Sequence, residues 1–166
     1  MRPKFYHAAT LFAAAGLATV LAGSAPAQQP DTSAASTYRD IEATLGFVPG
    51  FFKAFPEAGI AGAWGEFKSV QLSPTTALPG KVKELIGLAV ASQIPCAYCV
   101  YFHTRMARAN GATDEDVREA VAMAAVTRHW STVLNGMQID LATFKEETDR
   151  ALRMAAEKAA TGAPTE

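Results

Sequence analysis

Lys83-Glu84-Leu85-Ile86-Gly87-Leu88-Ala89-Val90-Ala91-Ser92-Gln93-Ile94-Pro95-Cys96-Ala97-Tyr98-Cys99-Val100-Tyr101-Phe102-His103 is the most informative run in the chain. Residues 85–91 are apolar whichever helical face is considered, the pattern of a helix buried among other helices. Pro95 interrupts it, because a proline lacks the backbone N–H a helix interior needs and clashes with the preceding turn. A second helix is predicted over residues 95–110, with Gly111 as its C-terminal stop. The rest of the chain is read around these two consecutive helices.

Upstream, Pro79 suits the first turn of the buried helix. Residues 38–45 read as a short helix stopped at Gly46, followed by Pro49 and the aromatic cluster Phe51, Phe52 and Phe55. Residues 56–72 read as another helix, with Ile60, Trp64, Phe67 and Val70 on one side. Downstream, Thr113 and Asp116 make a capping-box pattern, and Val117, Ala120, Val121 and Ala124 follow at helical spacing as far as Asn135 and Gly136. A last helix over residues 138–158 carries Ile139, Leu141, Phe144, Leu152 and Met154. No run alternates apolar with polar in the manner of a strand. The expectation is an all-α domain of about six helices over residues 37–158, between a polar linker at 28–36 and a flexible tail at 159–166. Trp64, Trp130 and the Phe51–Phe55 cluster are expected in the core. The buried helix has so little polar surface that other helices, of this chain or of a second subunit, should cover it.

The N-terminus reads as a targeting segment. Arg2 and Lys4 precede a nearly uncharged run over residues 8–22, and Ala25-Pro26-Ala27 offers small residues at signal-peptidase spacing. The run is shorter than the roughly 20 residues a membrane-spanning helix needs, so cleavage is expected to leave no membrane segment. With residues 1–27 as a signal peptide, the chain is exported to the periplasm. Cleavage removes two basic residues and no acidic one, so the formal charge moves from −1 to −3. That balance excludes a nucleic-acid surface, which needs a basic face. It also leaves His103 and His129 as the mature histidines, and both cysteines in one motif.

That motif carries the chemistry. Residues three and four apart share a helix face, so Cys96, Cys99 and His103 lie along one stripe. Unpaired N–H groups and the positive dipole end favour a thiolate at a helix start, where an ordinary thiol of pKa about 8.5 would be only slightly ionised at neutrality. His103, one turn from Cys99, is placed to take its proton or to stabilise the anion. Glu84 lies twelve residues before Cys96 among apolar neighbours, where a carboxyl group should resist ionisation and relay protons near neutral pH. Antiparallel packing of the two helices would bring it to the thiols.

Other readings of the same residues compete. A structural disulfide is one, although a bridge across three residues closes almost no loop and restricts the unfolded chain little. A zinc site is another, with Cys96, Cys99, His103 and either Glu84 or His129 as ligands, but it lacks a second Cys or His pair. Covalent haem needs a histidine directly after the second cysteine, and position 100 is valine. A thioredoxin fold needs strands. His129 reads as an interface or core histidine.

Glu84, eleven intervening residues, Cys96-x-x-Cys99, three residues and His103 resemble the active-site motif of the alkylhydroperoxidase D (AhpD)-like branch of the carboxymuconolactone decarboxylase family. The likeness runs over residues 46–135 and includes Gly111-Ala112-Thr113-Asp114-Glu115 and Glu119-Ala120-Val121. The resemblance implies an all-helical homo-oligomer that reduces small hydroperoxides with thiols, recharged by a dithiol electron donor and using neither cofactor nor metal. It implies that Cys99 becomes the sulfenic acid, that Cys96 donates a proton and then resolves the intermediate as a disulfide, and that Glu84 and His103 relay protons. Family members that decarboxylate a lactone lack the paired cysteines. This chain departs from the branch in two ways. Tyr98 stands where the branch has a histidine between the cysteines. The branch is also mostly cytosolic and served by a lipoyl-bearing partner, whereas an oxidising periplasm would hold the pair as a disulfide. A periplasmic thiol–disulfide exchange protein, or a non-catalytic oligomeric scaffold, is therefore an alternative.

Overall fold

A computed structural model describes residues 31–161, and the proposed signal peptide lies outside them. Seven α-helices and no strand are present among the described residues, in the order α1 (Ala34–Leu45), α2 (Gly50–Lys53), α3 (Glu57–Glu66), α4 (Gly80–Gln93), α5 (Ala97–Ala109), α6 (Asp114–Gly136) and α7 (Leu141–Thr161). The all-α class expected from the sequence is the class observed. No described helix is long and apolar enough to cross a membrane.

Local chemistry explains the boundaries, including those that differ from expectation. α1 begins at Ala34, inside the stretch expected to be linker, because the Ser33 side chain accepts the Ser36 N–H and supplies a cap. It ends at Gly46, whose φ of 85° puts it in the left-handed region that glycine enters without penalty. The helix expected over 56–72 is α-helical only to Glu66 and continues as a π-helical segment, Phe67–Leu72. Pro79 and Cys96 sit just outside α4 and α5 as N-caps, so Cys96 is not in the first turn as expected. The capping box of α6 is complete: the Thr113 hydroxyl accepts from the Asp116 N–H, and the Asp116 carboxylate accepts from the Thr113 N–H. α7 starts three residues later than expected, after Gln138 at φ 53°, and reaches Thr161 because Ala159 and Ala160 favour helix. Residues 159–161 are therefore not tail.

Two packed regions meet at α4. In the first, Ile41, Phe52, Ile60 and Trp64 are buried together, with Tyr38, Leu45, Val48, Phe67 and Leu72 around them. Asp40 ties this region's edge, accepting from Trp64 Nε1 at 2.6 Å and from Lys68 Nζ at 2.7 Å. In the second, α4 packs against both α5 and α6, burying Leu88, Ala91, Ala107 and Ala124. Lys81 at the start of α4 reaches Asp116 at the start of α6, 3.3 Å away.

Several residues assigned to the core are not in it. Phe51, Phe55 and Trp130 are exposed, Trp130 to 55%. His129 is exposed as well, its ring edge-on to Trp130, so it is not a core histidine of the described fold. Val70 is turned outward by the wide turn of the π-helical segment. α4 is covered on one side only: Glu84, Leu88 and Ala91 are buried, while Ile86 and Val90 are open. Met123, Val126 and Trp130 on α6 are open too, and α7 buries no residue, leaving Leu141, Phe144 and Leu152 exposed.

Candidate active site

The site is built by the α4–α5 hairpin and the π-helical segment. α4 stops at Gln93 because Pro95 cannot continue it, and α5 starts at Ala97 with Cys96 as its cap. The Cys96 Sγ accepts the Cys99 N–H at 3.2 Å, so the sulfur satisfies one of the donors left open at a helix start. Cys96 and Cys99 are joined as a disulfide, with Cα atoms 5.3 Å apart. Both residues are half-buried. Cys99 and His103, one turn apart on α5, line a cavity of about 590 Å³ whose walls include the rings of Phe51, Phe67, Tyr98, Tyr101 and Phe102.

Antiparallel packing of α4 and α5 sets Glu84 behind the histidine. Its Oε2 lies 2.7 Å from His103 Nδ1, and Glu84 is 2% exposed. The carboxylate is not alone in its apolar run. Gln71 Nε2 donates to Oε1 at 3.1 Å and to Oε2 at 3.3 Å. No buried polar side-chain atom among the described residues lacks a partner. When the carboxylate is ionised it only accepts hydrogen bonds, and the Nδ1–H of His103 is then the donor in the pair. In the neutral ring Nε2 is then the nitrogen able to accept a proton.

All four residues singled out from the sequence thus contribute to one place. Glu84 contacts His103, His103 and Cys99 share the cavity wall, and Cys96 is bonded to Cys99. His129, the alternative zinc ligand, is on the exposed face of α6, and among the described residues no group of three His, Cys, Asp or Glu side chains is arranged to hold a metal ion. Tyr98 is 89% exposed at the cavity mouth.

Sequence reasoning missed two residues. Gln71 was legible in principle: it falls at helical spacing on the stripe of Ile60, Trp64 and Phe67, a polar residue where an apolar one was due. Gly87 carried no such signal. His103 lies flat against it, and a Cβ at position 87 would stand 2.7 Å from His103 Nε2 and nearer still to Cε1 and Nδ1.

The α4–α5 hairpin thus sets a disulfide-bonded cysteine pair near a histidine–carboxylate couple. The chain belongs to the carboxymuconolactone decarboxylase family, whose sequence profile matches residues 58–140, from α3 through α6 and across all four site residues. Among solved structures it is similar to the alkylhydroperoxidase AhpD core of Rhodospirillum rubrum, with a TM-score of 0.58 and 30% identity over 65% of this chain and 82% of that one. It is 42% identical over 52 residues to uncharacterized protein 4 of the cox locus of Paracoccus denitrificans, covering 31% of this chain and 47% of that protein. It is 41% identical over 63 residues to an uncharacterized protein of Cupriavidus necator, covering 37% and 56% respectively. The chain spans about half the length of these curated relatives.

Proposed function

We propose that this chain is an exported, homo-oligomeric, thiol-dependent peroxidase. One observation carries the reading: Cys99 and His103 line the same aromatic cavity, with Glu84 hydrogen-bonded to the histidine at 2.7 Å and Cys96 bonded to Cys99. In the reduced protein His103 takes the Cys99 proton. The Cys99 thiolate attacks the outer oxygen of a small hydroperoxide, the O–O bond breaks, and the alkoxide leaves as an alcohol with the proton of Cys96. Cys96, now a thiolate, attacks the sulfenic sulfur of Cys99. The S–O bond breaks, hydroxide takes the proton held by His103 and leaves as water, and the disulfide seen in the structure is the product. A dithiol donor returns two electrons and two protons. Glu84 holds the imidazole in orientation and stabilises its charged form.

The open faces of α4 and α6 and the unpacked α7 support assembly with further copies of the chain. Export rests on the composition of residues 1–27. The deciding experiment is hydroperoxide consumption by the purified mature chain with a generic dithiol in excess. Stoichiometric loss of peroxide and dithiol is expected, and no rate above that of free dithiol would end the peroxidase reading.

One observation favours a second reading. Cys96 rather than Cys99 occupies the helix cap, the position commonly held by the attacking thiol of an exchange protein. Rapid reduction of a protein disulfide without peroxide turnover would favour thiol–disulfide exchange, and failure in both assays would favour a scaffold.

A further inference from the structure

We infer that Gln71 is a positioning residue of the site: it orients the Glu84 carboxylate, and through it the ring of His103. The kinetic part of this inference rests on the peroxidase reading, but the spectroscopic part does not.

Glu84 is buried, and the last torsion of a glutamate side chain is broad, so its own conformational preferences leave the plane of the carboxylate undetermined. Hydrogen-bond donors must set it. His103 Nδ1 contacts only Oε2, and one contact leaves the carboxylate free to pivot about that oxygen. Gln71 Nε2 reaches both oxygens, 3.1 and 3.3 Å away, and removes that freedom. Gln71 also lines the cavity beside Phe67, Cys99 and His103.

The backbone that carries Gln71 is itself seated on α4. Lys83, the residue before Glu84, donates through Nζ to the carbonyls of Val70 and Ser73, each at 2.7 Å. A cation on the last carbonyls of a helical segment is the arrangement its dipole favours. α4 therefore grips the π-helical segment at consecutive positions, Lys83 on the backbone and Glu84 on the Gln71 side chain. π-helical turns are rare and recur at functional sites, as this one does.

The test is Gln71→Met, which keeps the length and removes the donor, in the full mature chain. The ring nitrogens of ¹⁵N-labelled His103 report directly. The wild type should show a slowly exchanging Nδ1–H, and in the variant that proton should exchange faster and its resonance broaden. Peroxide reduction should slow about 10-fold, the worth of one hydrogen bond to a charged group. Added to Glu84→Gln, the substitution should slow the reaction no further, because a residue acting through Glu84 has nothing left to act on. Gln71→Glu, of the same shape but offering an acceptor, should repeat the loss should the methionine variant fold poorly. An unchanged His103 spectrum in both variants, or a full additional loss in the Glu84→Gln background, would overturn the inference. A wild type inert toward peroxide would end the peroxidase reading alone, with the ring spectrum still deciding the role of Gln71.

Discussion

Gly87→Ala is the substitution on which sequence habit and tertiary structure disagree most sharply. By helix propensity it should stabilise, because glycine in a helix interior costs about 1 kcal/mol relative to alanine. The structure reverses the sign. The added Cβ would lie 2.7 Å from His103 Nε2 and closer to Cε1 and Nδ1, so the whole imidazole must move. It has little room: its side chain is only 20% exposed, the Phe102 ring stands edge-on to it with centroids 5.4 Å apart, and Nδ1 is held 2.7 Å from Glu84. Swinging the ring out breaks the Glu84 bond, and leaving it in place overpacks the α4–α5 contact. Overpacking costs about 1–3 kcal/mol, so the net change should be a loss of up to about 2 kcal/mol. On the proposed chemistry the kinetic effect is larger. A general acid–base group is worth about 10²–10⁴-fold, and a displaced His103 should forfeit at least the lower figure. Chemical denaturation and peroxide turnover should be measured together, with oxidation of the pair by excess diamide as a check that the thiols still combine. Wild-type turnover in Gly87→Ala, or a gain of about 1 kcal/mol in stability, would refute the packing argument and the role given to His103.

The thiols should divide their work: Cys96→Ser should form one trappable sulfenic acid per chain without turning over, and Cys99→Ser should lose peroxide reactivity. Sulfenic acid on Cys96 in the Cys99→Ser protein would reverse the roles and favour exchange. The acid limb of stability follows from three aspartates held below the usual carboxylate range: Asp116 chiefly by the Thr113 N–H, Asp140 chiefly by the Thr143 N–H, and Asp40 chiefly by Lys68. Because their folded values lie below the unfolded value of about 3.9, the stability they add is present above it and is lost as pH falls through the folded values. Thermal scans should thus be flat for these groups above about pH 5 and decline below about pH 4, and Asp116→Asn should shrink that decline; a variant declining as steeply as the wild type would count against it. Sedimentation at micromolar concentration should find an assembly, and Val90→Glu, on the open side of α4, should shift it toward monomer. A wild-type monomer would remove the oligomer from the proposal.

The helices, their order and the residues of the redox motif were determined by the chain's local chemistry. Caps, stops and the 3.6-residue period act over one or two turns, so Ser33, Gly46, Thr113 and Pro95 mark boundaries wherever the helices end up. The i, i+4 relation of Cys99 and His103 is likewise a property of one helix, with Cys96 at its cap. What lies opposite each helix is not local. Glu84 was recognisable by spacing and neighbours, but its bond to His103 exists because α4 and α5 pack antiparallel. Gln71 reaches the carboxylate from a third segment, and Gly87 matters only because a ring happens to rest on it. The exposure of Trp130, Phe51 and Phe55 was equally out of reach, since an apolar side chain states that it should be covered without stating by what. Among the described residues α4 is buried at Glu84, Leu88 and Ala91 and open at Ile86 and Val90, a division set by which helices pack against it and not by its uniformly apolar sequence.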